Sequence, residues 1–137
     1  ADIGLGRLFY AASPQGGVDV IYRTNGTAVG EIGLSINGAP AVFSDSDQFS
    51  SIQTSEWTFF AVTYDGTSGE VKFYSGTKSS RLRMSSASFD KNPGVITSNS
   101  TPIIVGNTAI NGSRPFQGWL DKISFHGSSK NTSGNLT

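Results

Sequence analysis

Hydrophobic and polar positions alternate along this chain in short runs, and Gly, Asn, Asp or Pro close most of them. Residues 31–37 show it most clearly: Ile32, Leu34 and Ile36 point one way, and Glu31, Gly33 and Ser35 the other. That period of two predicts a half-buried strand. Residues 18–24 repeat it, with Val18, Val20 and Tyr22 set against Asp19, Ile21 and Arg23. Residues 7–12 read as a strand with Leu8 and Tyr10 opposite Phe9. Asn25-Gly26 and Asn37-Gly38 predict tight turns, because both residue types tolerate positive φ. Residues 39–43 follow, with Pro40 marking an edge or a strand start. Residues 44–51 read as a polar loop, and a short strand is expected around Ile52.

The central stretch is Trp57 to Ser75. Phe60, Val62 and Tyr64 fall on one side of an extended chain; Phe59, Ala61 and Thr63 fall on the other, which predicts packing on both faces. Asp65-Gly66 opens a short loop, and Val71 and Phe73 then share a side, so the unit reads as a β-hairpin with Trp57 in the core. Downstream, Arg81 and Arg83 alternate with Leu82 and Met84. Residues 86–100 are weakly patterned, 103–105 form a short strand, 107–114 a polar loop, and 119–126 a last strand. No helical period of useful length appears. Regular short strands separated by turn residues predict an all-β, antiparallel two-sheet sandwich.

Two segments resemble a known family. Trp57, Ala61-Val62-Thr63-Tyr64-Asp65-Gly66 and the Val71-x-Phe73-Tyr74-x-Gly76 that follows are similar to the central hairpin of laminin-G-like, concanavalin-A-like jelly rolls. Ile104-Val105-Gly106, then Phe116-Gln117-Gly118-Trp119-Leu120-Asp121, resembles that family's closing pattern. The resemblance implies a jelly-roll topology over residues 1–127, with 128–137 a flexible tail or inter-domain linker rich in Ser, Asn and Gly. It implies nothing firm about function, since the fold hosts lectins, adhesion modules and enzymes. The family's opening strands, with a start resembling Phe-Asp-Gly, are not found here. Three readings are open: the chain lacks that segment, its first strand pair diverges, or a partner supplies the missing edge.

Composition narrows the function classes. The 137 residues fit one domain with a core of its own. There is no Cys, which excludes disulfides, thiolate nucleophiles and thiolate metal sites but leaves the compartment open. Ten basic and ten acidic side chains give zero net charge, which argues against a nucleic-acid partner. No apolar run approaches the roughly 18 residues that span a bilayer, and no signal-peptide pattern is present. A low charged fraction of 15% with abundant Gly, Ser, Thr and Asn suits an exported β-protein, secreted or at the cell surface.

Candidate chemistry is sparse. The single His, His126, stands alone beside Gly127. No strand carries the clustered carboxylates that glycan cleavage requires, so an enzyme is not expected, although an ancillary domain of one is compatible. Calcium is the plausible metal; Asp121, which matches the Asp of the closing motif, is its candidate ligand, with Asp45 and Asp47 a second. A turn-capping Asp121 is the competing reading. For a polysaccharide or glycan partner, an aromatic platform needs polar side chains around it. Trp119 with Arg114, Asn111 and Asn107 is the first such set, and Tyr22 with Arg23 a further one. Arg81 and Arg83 share a face and could fork a sulfate or uronate. Asn-x-Ser/Thr triplets occur at Asn25, Asn99, Asn111, Asn131 and Asn135. The expectation is a non-catalytic carbohydrate-binding module joined to other domains of a parent protein. The alternative is a structural or adhesion module that engages a protein partner or self-assembles.

Overall fold

The computed structural model describes residues 5–24, 30–54, 56–107 and 114–127. Along them run β1 (Leu5–Ser13), β2 (Gly16–Arg23), β3 (Glu31–Ile36) and β4 (Val42–Phe43), followed by a 3-10 helix (Ser50–Thr54). Then come β5 (Thr58–Tyr64), β6 (Glu70–Thr77), β7 (Arg83–Ser88) and β8 (Ile104–Val105). Among the described residues there is no α-helix. All pairings are antiparallel and make two sheets, a five-stranded one in the order β4-β3-β2-β1-β8 and a three-stranded one in the order β5-β6-β7.

The expected alternation sets the register. Val18, Val20 and Tyr22 pair with Ile36, Leu34 and Ile32, placing one apolar face on β2 and β3. Val62 and Tyr64 pair with Phe73 and Val71 in the smaller sheet. These two faces share one core, in which Ile32, Val71 and Phe73 are fully buried. A bulge between Arg7 and Phe9 departs from simple alternation in β1. It lets consecutive residues Leu8 and Phe9 both pack against the core.

Four expectations are corrected. Trp57 is 67% exposed, not core, because it precedes β5 on the parity of Phe59, which faces out of the smaller sheet and is 58% exposed. Packing on both faces of β5 is therefore absent: only the Phe60, Val62 and Tyr64 side meets the core. The strand expected at Ile52 is the 3-10 helix, entered through fully buried Phe49, with Ile52 N–H donating to the Phe49 carbonyl at 3.1 Å. Residues 119–126 form no strand. The ladder position beside β1 is occupied by β8, and Lys122 adopts φ 51°, which breaks an extended path. That segment is held instead by Leu120 against the core and by Phe125 stacked on Phe9 at 5.5 Å. The expected tail, 128–137, lies outside the described residues, as do Asn25, Asn111, Asn131 and Asn135.

The Asn37-Gly38 turn does more than reverse the chain. Both residues have positive φ, 51° and 76°, as a two-residue hairpin turn requires. The Asn37 carboxamide then pins the long 89–100 connection. Its Nδ2 donates to the carbonyls of Pro93 (3.0 Å) and Val95 (2.8 Å). Its Oδ1 accepts from Thr97 N–H (2.9 Å), Thr97 Oγ1 (3.0 Å) and Gly17 N–H (3.3 Å). Asn37→Ala loses these bonds and strains the left-handed backbone, and is expected to destabilise the fold by about 2–3 kcal/mol. Asn37→Gly, which keeps the backbone but not the amide, should cost less. Urea unfolding of both checks this; equal costs would mean that φ contributes nothing.

Candidate functional site

At one end of the sandwich the three strands of the smaller sheet share a rim. Residues alternate there between two directions. Glu56, Thr77, Arg81 and Arg83 line an open cleft of about 270 Å³. Trp57, Phe59, Leu82 and Met84 lie between or beside them in sequence and are 67, 58, 65 and 53% exposed. The far wall of the cleft is the turn and helix start that carry Asp47, Gln48, Ser50 and Ser51. Hydroxyls, an amide, two carboxylates and two guanidiniums thus converge on one side of the rim, and the exposed apolar strip lies on the opposite, outward side of the same strands.

The cleft is built by a buried side chain. Gln48 is 5% exposed and its Nε2 donates to the carbonyl of Phe73 at 3.0 Å. Ser85 Oγ donates to Gln48 Oε1, and Ser85 also accepts from the Asp45 N–H at 3.2 Å. These bonds tie the 45–48 turn to β6 and β7. Glu56 Oε1 accepts from Ser79 Oγ at 2.5 Å, which fastens the β6–β7 turn to the start of β5. No ion pair engages Arg81 or Arg83 among the described residues.

The larger groove, about 620 Å³, lies between the β3–β4 turn and the segment after β7. Its amides are occupied: Asn37 as above, and Asn92 by donating to the carbonyls of Gly66 and Thr67 at 3.2 and 3.0 Å. Ala39, Pro40, Val42 and buried Phe89 line it together with exposed Asp90 and Lys91. Its one lining aromatic, Phe89, is buried, so it presents no platform on which a sugar ring could stack.

The residues expected to bind from sequence are scattered. Tyr22 is a core residue, 5% exposed, with its ring edge-on to Phe116 at 5.8 Å, so it is no surface platform. Arg23 is engaged: Nε donates to Glu31 Oε2 at 2.7 Å and its guanidinium lies 3.6 Å over the Phe43 ring. That ring rests on Gly33, where a Cβ would come within 2.5 Å of it. Asn107 and Arg114 do come together, but through Arg114 N–H donating to Asn107 Oδ1 at 3.3 Å. Asn111 lies outside the described residues. Trp119 is 88% exposed and Asp121 is exposed. Among the described residues no group of three His, Cys, Asp or Glu side chains is placed to hold a metal ion.

Sequence reading missed Glu56 and the Ser/Thr lining. The available signal was the run Thr77-Lys78-Ser79-Ser80 leading directly into the same-face pair Arg81 and Arg83.

The outer face of the larger sheet carries a second polar group. Arg7 Nε donates to Asp19 Oδ2 at 2.8 Å, with both side chains about nine-tenths buried. Asp19 Oδ1 lies at the same 2.8 Å from Arg7 Nε, while Arg7 Nη1 makes no hydrogen bond. Burial pushes the Asp19 carboxyl above its ordinary 3.8, and the attraction of Arg7 and, more weakly, Arg114 offsets only part of it.

Compared with protein-family models, with curated proteins and with solved structures, the chain gives no significant match. No family is identified by these comparisons.

Two measurements check this description. Gln48→Ala strands the Ser85 hydroxyl and two carbonyls and is expected to lower stability by about 2–3 kcal/mol in chemical denaturation; a neutral result would mean the turn is held otherwise. The Asp19 effect has a definite sign. A carboxyl with a raised native pKa stabilises the fold fully below the unfolded value, and that contribution is lost as pH rises through the native one. The stability of the wild type minus that of Asp19→Asn should thus fall as pH rises from the ordinary carboxylate value toward neutrality. A pH-independent difference contradicts the assignment.

Proposed function

We propose that this β-sandwich is a laminin-G-like jelly-roll module of a larger exported protein, and that it binds a glycan without cleaving it. The observation that supports the reading is the rim of the smaller sheet. Sugars present hydroxyls around a ring whose C–H faces are apolar, so a site for them needs both planar polar groups and aromatic surface. The cleft supplies the polar groups and the strip the aromatic surface on the two sides of one rim, with Glu56 and Trp57 adjacent in sequence. Hydroxyls and carboxylates accept and donate to sugar hydroxyls, while Trp57 and Phe59 stack on whatever ring extends over the rim. Such a shallow site buries little surface, so affinity is modest. Trp119 is a bare aromatic, 88% exposed, and Asn107 Oδ1 accepts from the Arg114 N–H rather than standing free for a ligand.

A protein-binding module is the second reading, favoured by the same exposed strip of Trp57, Phe59, Leu82 and Met84. Contiguous exposed apolar side chains mark interaction surfaces.

A glycan array on the purified chain separates these readings. Binding to one glycan class is expected, weakened about tenfold, or ~1.4 kcal/mol, by Trp57→Ala and unchanged by Trp119→Ala. Loss of binding with Trp119→Ala alone would move the site to Trp119. Release of reducing ends that Glu56→Gln abolishes would make the protein a hydrolase. No binding, together with concentration-dependent self-association in sedimentation, would favour the interaction module.

A further inference from the structure

We infer that the cleft selects sugars bearing a carboxylate, with Arg81 and Arg83 as the pair that reads it; this rests on the carbohydrate reading above. Of the chain's other three arginines two are ion-paired, and Arg114 is not, among the described residues. On the outer face of the larger sheet, Arg7 is paired with Asp19 and Arg23 with Glu31. Arg81 and Arg83 are exposed and carry no ion pair among the described residues, although Asp47 and Glu56 line the same cleft. Glu56 is committed to Ser79.

Arg83 begins β7, opposite Ser75, and Arg81 lies two residues before it. Two residues of extended chain advance about 6.6 Å and return the side chain to the same face. The backbone under the pair is anchored by Gln48 Nε2, 3.4 Å from the Arg83 carbonyl. Two guanidiniums on one face, each a planar fork of donors, match a planar carboxylate held by two parallel N–H···O bonds. Asp47 and Glu56 keep the cleft close to neutral, so a polyanion is not drawn in by bulk charge. Discrimination comes from fork geometry, and the acidic wall accepts hydrogen bonds from the neighbouring hydroxyls of the same ring. The ligand class is therefore a uronate-bearing glycan with free ring hydroxyls.

The test uses oligouronates from pectin and alginate, each beside its carboxyl-reduced form, which keeps the ring and replaces the carboxylate by a hydroxyl. Titration calorimetry on the whole chain should show the uronate bound at least about tenfold more tightly than its reduced counterpart, or ~1.4 kcal/mol. Arg81→Gln with Arg83→Gln should erase that preference, and the double Lys variant should restore only part of it, because an ammonium lacks the fork. Both residues are exposed, so the melting temperature should not change. Equal binding of both forms would overturn this inference and leave the carbohydrate reading standing. Tighter binding of a sulfated glycan than of any uronate would overturn the planar fork. Binding of neither form, nor of any glycan on the array, would overturn both.

Discussion

Three strands cannot cover five, and most of this structure follows from that mismatch. The larger sheet presents an apolar face made by β1, β2 and β3, and the smaller sheet answers with Phe60, Val62, Val71 and Phe73. The remaining area must be hidden from water by residues that belong to no strand. Phe49, from the turn before the 3-10 helix, and Phe89, just after β7, do this, and Phe116 and Leu120 pack beside them. Burying an aromatic side chain is worth roughly 1.5–3 kcal/mol, so these plugs rival the strand residues in weight. Each one drags its connection across an end of the sandwich. The path taken by Phe49 sets the far wall of the polar cleft, and Gln48 and Ser85 fix that wall with hydrogen bonds.

The same mismatch explains what is left exposed. Nothing among the described residues packs on the outer face of β5, β6 and β7, so Phe59 and Met84 meet solvent there. The outer face of the larger sheet is treated differently: Asp19, Ile21 and Glu31 are buried on it, with paired charges and the Phe43 ring over Gly33. One face is sealed with its charges paired inside; the other is open, with Phe59, Leu82 and Met84 toward one rim and the exposed Glu70–Lys72 pair farther along β6.

This contrast also accounts for what could be read in advance. Strands declared themselves where apolar residues on the core face alternate with polar, charged or small ones on the other: β2, β3 and β6 lie close to the periodic runs. The plugs were not legible. Phe49 sits in a run of Ser, Asp and Gln, and no local pattern tells a buried aromatic in a polar loop from an exposed one. Trp57 misled for a related reason. A large aromatic at a strand start suggests core, but parity with Phe59 puts it outside, and parity has meaning only once the covered face is known. The last strand failed because pairing depends on a free neighbour edge, which β8 takes. Arg81 and Arg83 were visible as a same-face pair; the carboxylates and hydroxyls opposite them come from separate segments, and only folding brings those together.

The buried pair Arg7–Asp19 sharpens the meaning of the free arginines. Burial raises the Asp19 pKa even with a guanidinium in contact, so this ion pair is one the fold tolerates rather than one that drives it. Arg23 is spent on Glu31 and Phe43 in the same way. Pairing an exposed arginine costs far less desolvation than this, and carboxylates stand in the same cleft as Arg81 and Arg83. Yet Glu56 is bonded to a serine and the two guanidiniums face solvent. A surface pair would contribute little stability in any case, typically under about 1 kcal/mol. Leaving the two forks open above a backbone that Gln48 has fixed therefore costs the fold little, and it leaves both available to the carboxylate proposed above.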